Sequence, residues 1–352
     1  QRWLSPPNVA FASAQAENAY KKRVGRFIAV MQLQTPDRVP LSLSTGFFPA
    51  YYYGITPEKA MYDPEELIHA WRKFIQDFEM DTLSSPTRIL SGRVLEILDY
   101  KMYRWAGHGV SPDSPFQYVE NEYMKADEYD ALLQDPSNFW MRNYLPRVFG
   151  ALAPLHKLLP LTDLIEMPFV MSNIAAYGKP EVQEALLSLL KAGKEAAKWL
   201  EMVGKFNEEM ACAGLPRLYG GMAKAPFDTI GDTLRGTQGI IKDMFRQPEK
   251  VREAMERLVP LEIQRGVSAV SASGVPAVMI PLHKGADGFM SPRQFETFYW
   301  GPLKKVVLGL IGEGIVPMLF AEGSYNTSLD VVKDLPRGGV IWHFDRTDMV
   351  KA

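Results

Sequence analysis

Cysteine is nearly absent from this chain: Cys212 is the only one in 352 residues. A lone cysteine excludes an internal disulfide framework and fits a reducing compartment. There is no apolar run of about 18 residues or more, so nothing reads as a membrane span. The first residues also lack a basic-then-apolar secretory pattern. Neither charge sign dominates: 39 Lys and Arg against 41 Asp and Glu leave a formal net charge of -2. That balance offers no general attraction to nucleic acid or to an anionic membrane. No glycine-rich dinucleotide fingerprint and no P-loop follows a candidate strand. These absences read as a soluble, cytoplasmic protein. At 47% hydrophobic residues it can bury a large core.

The pattern along the chain alternates helical segments with short apolar runs. Val24, Phe27, Ile28 and Met31 recur at helical spacing, and "DPEELIHAWRKFIQDFEM" opens at an Asp-Pro start with Leu67, Trp71, Phe74, Ile75 and Phe78 on one face. Strands are expected at residues 39–45, 81–85, 116–124, 164–171, 277–283, 316–322 and 339–345. The last third is the most regular, with three continuous apolar runs separated by helices, the signature of parallel pairing. These features predict an α/β (β/α)8 TIM barrel over residues 39–352, with residues 1–38 a helical extension packing on it. The chain ends at "TDMVKA", inside an expected helix, so the last strand is expected beyond Ala352.

Barrel chemistry sits at the C-terminal ends of the strands. Three neighbouring runs end in polar residues there: "MIPLHKGADGF" at His283, "MLFAEG" at Glu322, and "VIWHFDRTD" at His343 and Asp345. Alternation puts His343 and Asp345 on one face. A rim carboxylate such as Glu322 serves as acid or base, binds a cation, or is a solvated turn. Histidine nitrogen and carboxylate oxygen are also zinc donors. His108 lies in the glycine-bracketed loop "WAGHGV", as a lid or substrate contact. Glu120 and Glu122 share a strand face; Asp228, Asp232 and Arg235 read as an ion-paired helix start; Cys212 reads as a small hydrophobe.

Together "TPDRVPL", "APFDTIGDTLRGTQGIIKDMFRQPEKVREAMERL", "FMSPRQFETFYWGPLKKVV" and "VPMLFAEGSY" give a chain that resembles the uroporphyrinogen decarboxylase superfamily of (β/α)8 barrels, from near Arg23 onward. True decarboxylases of that superfamily carry arginines after the first strand to hold substrate carboxylates. The matching stretch here, "LSLSTGFFPAYYYG", has none and is rich in aromatics, including Phe47, Phe48, Tyr51 and Tyr52. The resemblance is therefore nearer to the zinc-dependent, corrinoid-linked methyltransferases. Their His-x-Cys-Gly ligand motif aligns with Phe320-Ala321-Glu322-Gly323, so Glu322 stands where a cysteine ligand would be and Phe320 replaces the histidine.

The resemblance implies a methyltransferase moving a methyl group between a small substrate and a corrinoid protein. The substrate would be a methoxylated aromatic or a methylamine. Glu322 and His343 are the expected zinc ligands, Glu322 and Asp345 the catalytic groups, and His283, Phe47, Tyr51 and His108 the substrate contacts. No nucleic-acid or membrane partner is expected, and assembly as a homodimer is left open. The alternatives are a metal-free lyase of the decarboxylase type and a corrinoid- or tetrapyrrole-binding protein without turnover.

Overall fold

The structure is a computed structural model describing residues 2–352. Its chain divides into two compact units. One holds the chain up to Leu43, Met80–Leu83 and Glu208–Ala352; the other holds Ser44–Glu79 and Ser84–Asn207. Its principal helices are α1 (Ala14–Met31), α2 (Pro64–Asp77), α3 (Pro180–Cys212), α4 (Pro248–Ser273) and α5 (Gly301–Gly312). A small sheet combines β1 (Tyr103–Ala106), β2 (Gly109–Val110) and β3 (Phe116–Tyr118). The larger sheet is parallel, in the order β4 (Gly221–Met222), β5 (Ala277–Leu282), β6 (Val316–Ala321) and β7 (Ile341–Phe344). The protein is thus mixed α/β with a parallel sheet. Among the described residues these four strands do not close on themselves.

The parallel sheet forms where the apolar runs are continuous. β5 and β6 are buried along nearly their whole length, as strands covered on both faces must be. Gly266 of α4 marks the approach of the helices to one face: a Cβ there would stand 2.6 Å from Leu310 of α5 and 3.6 Å from Val278 of β5. The opposite face carries Met279 and Met318, packed in one cluster with Trp3 and with Tyr20, Val24 and Phe27 of α1. The helical spacing read in α1 therefore does what it predicts: its apolar stripe covers part of the sheet.

Four expected strands differ. Residues 39–45 and 81–85 form no regular strand: single backbone bonds reach them, but a side chain takes the Leu41 N–H that a ladder would give to a carbonyl. Asp81 Oδ2 accepts from Leu41 N at 2.7 Å while Asp81 N donates to Leu41 O at 2.8 Å. Segment 116–124 keeps only β3, which runs antiparallel to β1 and stops before Glu120, so Glu120 and Glu122 share no strand face. Segment 164–171 is not a strand; the helix Met167–Ile174 starts within it. Pro168 suits a first helical turn, and Asn173 Nδ2 reaches back to Asp163 O and Phe169 O. Its apolar run was read without a period that separates strand from helix. No described helix is long and apolar enough to cross a membrane.

Asp81 is fully buried and ties three segments together, accepting from Arg26 Nη1 at 2.5 Å, Arg38 Nη2 at 2.9 Å and Leu41 N. Asp81→Ala leaves the Leu41 N–H and Arg26 Nη1 without their acceptor, while Arg26 keeps its bidentate pair with Asp37; the expected loss of unfolding free energy is about 2–3 kcal/mol. Urea denaturation measures it; a loss below about 1 kcal/mol, the value of a surface pair, would contradict the assignment.

Candidate active site at the carboxyl ends of the parallel strands

The last paired set across the sheet is Leu282, Ala321 and Phe344. One residue further, the same register puts His283, Glu322 and Asp345 side by side at the strand ends. They share the face of the preceding row, Pro281, Phe320 and His343. The face expected to be shared by His343 and Asp345 carries His283 and Glu322 as well. Their geometry then separates them. His283 Nε2 lies 3.7 Å from Glu322 Oε1. Asp345 Oδ2 instead accepts from Gly323 N at 3.1 Å, and the His343 ring lies tilted against Phe320, centroids 4.6 Å apart. Gly323 is needed at the turn after Glu322: its φ is +85°, and a Cβ would come within 3.0 Å of Ala286.

Beneath His283 lies a carboxylate network. Asp228 ends the short helical turn Pro226–Asp228, and the wider-wound turn Thr229–Leu234 carries Asp232. Asp228 is 0% exposed. Its Oδ2 accepts from His283 N at 2.9 Å and from the Tyr299 hydroxyl at 2.8 Å; Oδ1 accepts from Lys284 N at 3.0 Å. It thus caps both backbone N–H groups of the turn that presents His283. Gly285 lets that turn sit against two rings: a Cβ there would fall 2.4 Å from Tyr299 and 2.5 Å from the Tyr325 hydroxyl.

Asp232 holds the side chain of the same histidine. Its Oδ2 is 2.6 Å from His283 Nδ1, and Lys224 and Lys284 lie at 2.9 and 3.1 Å from its carboxylate. Lys224 follows β4, its backbone N–H held by the buried Glu262 of α4 at 2.9 Å. Burial works against the Asp232 charge, but the bond from His283 and the two lysines pull its carboxyl well below the usual range. Burial likewise opposes a charged His283; Asp232, Asp228 and Glu322 outweigh it and raise the imidazole above its ordinary value. Burial first, then the neighbouring Asp232 charge, pushes Asp228 up to about 6, against the pull of His283, the backbone N–H and Tyr299.

The row can carry a proton or hold a cation. With Asp232 on Nδ1, the imidazole presents Nε2 toward Glu322, the orientation that metal-binding histidines take from a supporting carboxylate. Among the described residues, no three His, Cys, Asp or Glu side chains stand close enough to hold a metal as a group. The residues therefore fit one half of a metal site, the pair His283 and Glu322. His343, packed on Phe320, is not part of that pair.

The other expected contacts belong to the second unit and have partners there. Phe47 is buried edge-on to Phe116, Tyr51 donates to Asp113 O at 2.7 Å, and His108 Nε2 lies 2.6 Å from Glu96 and 3.0 Å from the Tyr62 hydroxyl. Of Asp228, Asp232 and Arg235, expected as an ion-paired helix start, Asp232 is ion-paired with Lys224 and Lys284 and Arg235 with Asp243, and Asp228 is hydrogen-bonded instead. Arg235 is closed off inside the protein with Asp243 at 2.5 Å, whereas Asp228 and Asp232 support the site. Only their four-residue spacing hinted at a shared face; the tyrosines and lysines gave no signal.

Residues 215–352 match the family described as Uroporphyrinogen decarboxylase (URO-D). That stretch contains the whole parallel sheet and every residue of the row and network, and the match supports the uroporphyrinogen decarboxylase superfamily, whose members are generally enzymes. No curated protein matches the chain.

Asp228 gives the fold a pH signature. Its native pKa lies above the ordinary 3.8 of an aspartate, so the folded state binds its proton more tightly than the unfolded state. That contribution is complete below pH 3.8 and is lost as pH rises toward about 6. Relative to Asp228→Asn, the wild type is expected to lose on the order of a few kcal/mol across that window. Urea unfolding at stepped pH tests this; parallel curves for the two proteins would refute it.

Proposed function

We propose that this protein is a methyltransferase-type (β/α)8 barrel of the uroporphyrinogen decarboxylase superfamily, working in the cytoplasm. It would pass a methyl group between a small methylated substrate, a methoxylated aromatic or a methylamine, and a corrinoid protein. The observation that carries this reading is the line Asp232, His283, Glu322, in which a carboxylate fixes one imidazole nitrogen and the other faces a second carboxylate at 3.7 Å. His283 and Glu322 would hold zinc, a pairing of nitrogen and oxygen donors suited to it. A zinc ion held by His283 and Glu322 would supply Lewis acidity toward the methyl-bearing heteroatom.

The chain's own residues do the rest. Asp232 accepts from Nδ1–H, so that in the neutral imidazole the lone pair lies on Nε2. Lys224 and Lys284 balance the charge of Asp232, which leaves Glu322 as an uncommitted carboxylate at the mouth. Phe320 and His343, one row below, offer flat surface to an aromatic substrate. Glutamate in place of a thiolate makes the donor set harder, favouring an ether oxygen or an amine over a thiol. A porphyrinogen decarboxylase would need guanidinium groups at this mouth. Arg235, three residues after Asp232, is engaged with Asp243, which leaves the strand-end row one adjacent arginine, Arg346, 3.9 Å from Asp345.

Metal content of purified protein, with a methyl-transfer assay using methoxylated aromatics, methylamines and a corrinoid protein, tests the reading. About one zinc per chain is expected, lost in His283→Ala and in Glu322→Ala while circular dichroism is unchanged. Full occupancy in both variants would refute the ligand pair. A metal-free, folded wild type would favour proton chemistry at His283 and Asp228 instead.

A further inference from the structure

The second unit contains a cleft of about 570 Å³ between α2 and α3, closed at one end by the start of helix Gly92–Leu98. From α3 it receives Glu195, Lys198, Trp199 and Met202, whose spacing puts them on one helical face. Two aromatic rings in its wall are fixed by their polar ends. Trp199 Nε1 donates to Ile89 O at 2.9 Å. The Tyr62 hydroxyl donates to Glu96 at 2.9 Å and accepts from Trp105 Nε1 at 3.1 Å. Tyr62 reaches its position because residue 92 is glycine: a Cβ there would fall 2.2 Å from the ring. Ile68 and Met202 add apolar lining between the rings.

Among the charged groups of this cleft, Arg93 makes no hydrogen bond or ion pair with a described residue. Glu195, whose charge it feels, is already paired with Lys198 at 2.8 Å. An unspent planar guanidinium beside two immobilised rings suits a flat ligand with an acid group. We propose that this cleft binds a planar organic anion, an aromatic ring bearing a single carboxylate. The carboxylate would take the Arg93 fork and the ring would lie along Trp199. Of the other charged groups in the lining, Lys198 is paired with Glu195 and Arg72 also has a partner, so Arg93 is the guanidinium left for a ligand and one carboxylate matches it better than a phosphate dianion. The proposal is independent of the chemistry assigned to the parallel sheet.

Ligand-observed NMR titrations of the intact protein with benzoate, cyclohexanecarboxylate, benzamide and inorganic phosphate test it. Benzoate is expected to bind best, with the saturated acid and the neutral amide each weaker by about fivefold or more. Arg93→Ala should raise the benzoate Kd about tenfold, and Met202→Trp should abolish binding by filling the cleft. His283→Ala, in the other unit, should leave the Kd unchanged, which separates this site from the strand-end row. No benzoate binding up to about 10 mM, binding indifferent to Arg93→Ala and Met202→Trp, or displacement by equimolar phosphate would each overturn the proposal.

Discussion

One buried carboxylate organises the candidate active site. Asp228, sealed from water, accepts three hydrogen bonds, two of them from the backbone of the turn after β5. A turn at a strand end ordinarily leaves its N–H groups to solvent; here a side chain 55 residues earlier takes them. The desolvation of Asp228 is offset by full hydrogen bonding, the condition under which a buried polar group is tolerated. Tyr299 and Tyr325 close over the same turn, which only glycine at position 285 permits. His283 is therefore presented by a rigid support although it lies on a loop.

Division of labour among the carboxylates follows from their surroundings. Asp228 fixes backbone, Asp232 fixes an imidazole and is matched by two lysines, and Asp345 caps Gly323. Glu322 alone of the four stands at the strand ends with an imidazole nitrogen as its nearest ionisable neighbour. A negative charge after an apolar strand thus has a local reason. The register of three parallel strands brings it level with His283, and Gly323 turns the chain away immediately after it. Phe320, in the place where the resembling methyltransferases have histidine, lies under His343. In the proposed zinc site the nitrogen donor would then come from the end of β5 instead of from β6.

Legibility in the sequence followed the range of the interactions. Strands β5, β6 and β7 and helix α1 were readable because burial writes continuous or periodic apolar patterns into neighbouring residues. The shared face of His343 and Asp345 followed from strand alternation, whereas the level of His283 and Glu322 beside them depends on the register between strands. Segments 39–45 and 81–85 misled because Asp81 replaces a strand partner. Segment 164–171 misled because a short apolar run does not distinguish strand from helix. The supporting network was invisible: Asp228 meets His283 and Tyr299 across 55 and 71 residues, and Asp232 comes from a turn wound more widely than an α-helix.

The central claim is that His283 is held at Nδ1 and offers Nε2 to a cation beside Glu322. Nitrogen-15 spectra of protein labelled at its five histidines report both atoms directly, with His283→Ala giving the assignment. During a zinc titration the account predicts that His283 Nε2 shifts to the range of a metal-bound nitrogen while Nδ1 stays protonated. A His283 signal indifferent to zinc, or one in which Nδ1 is the nitrogen that responds, would contradict it.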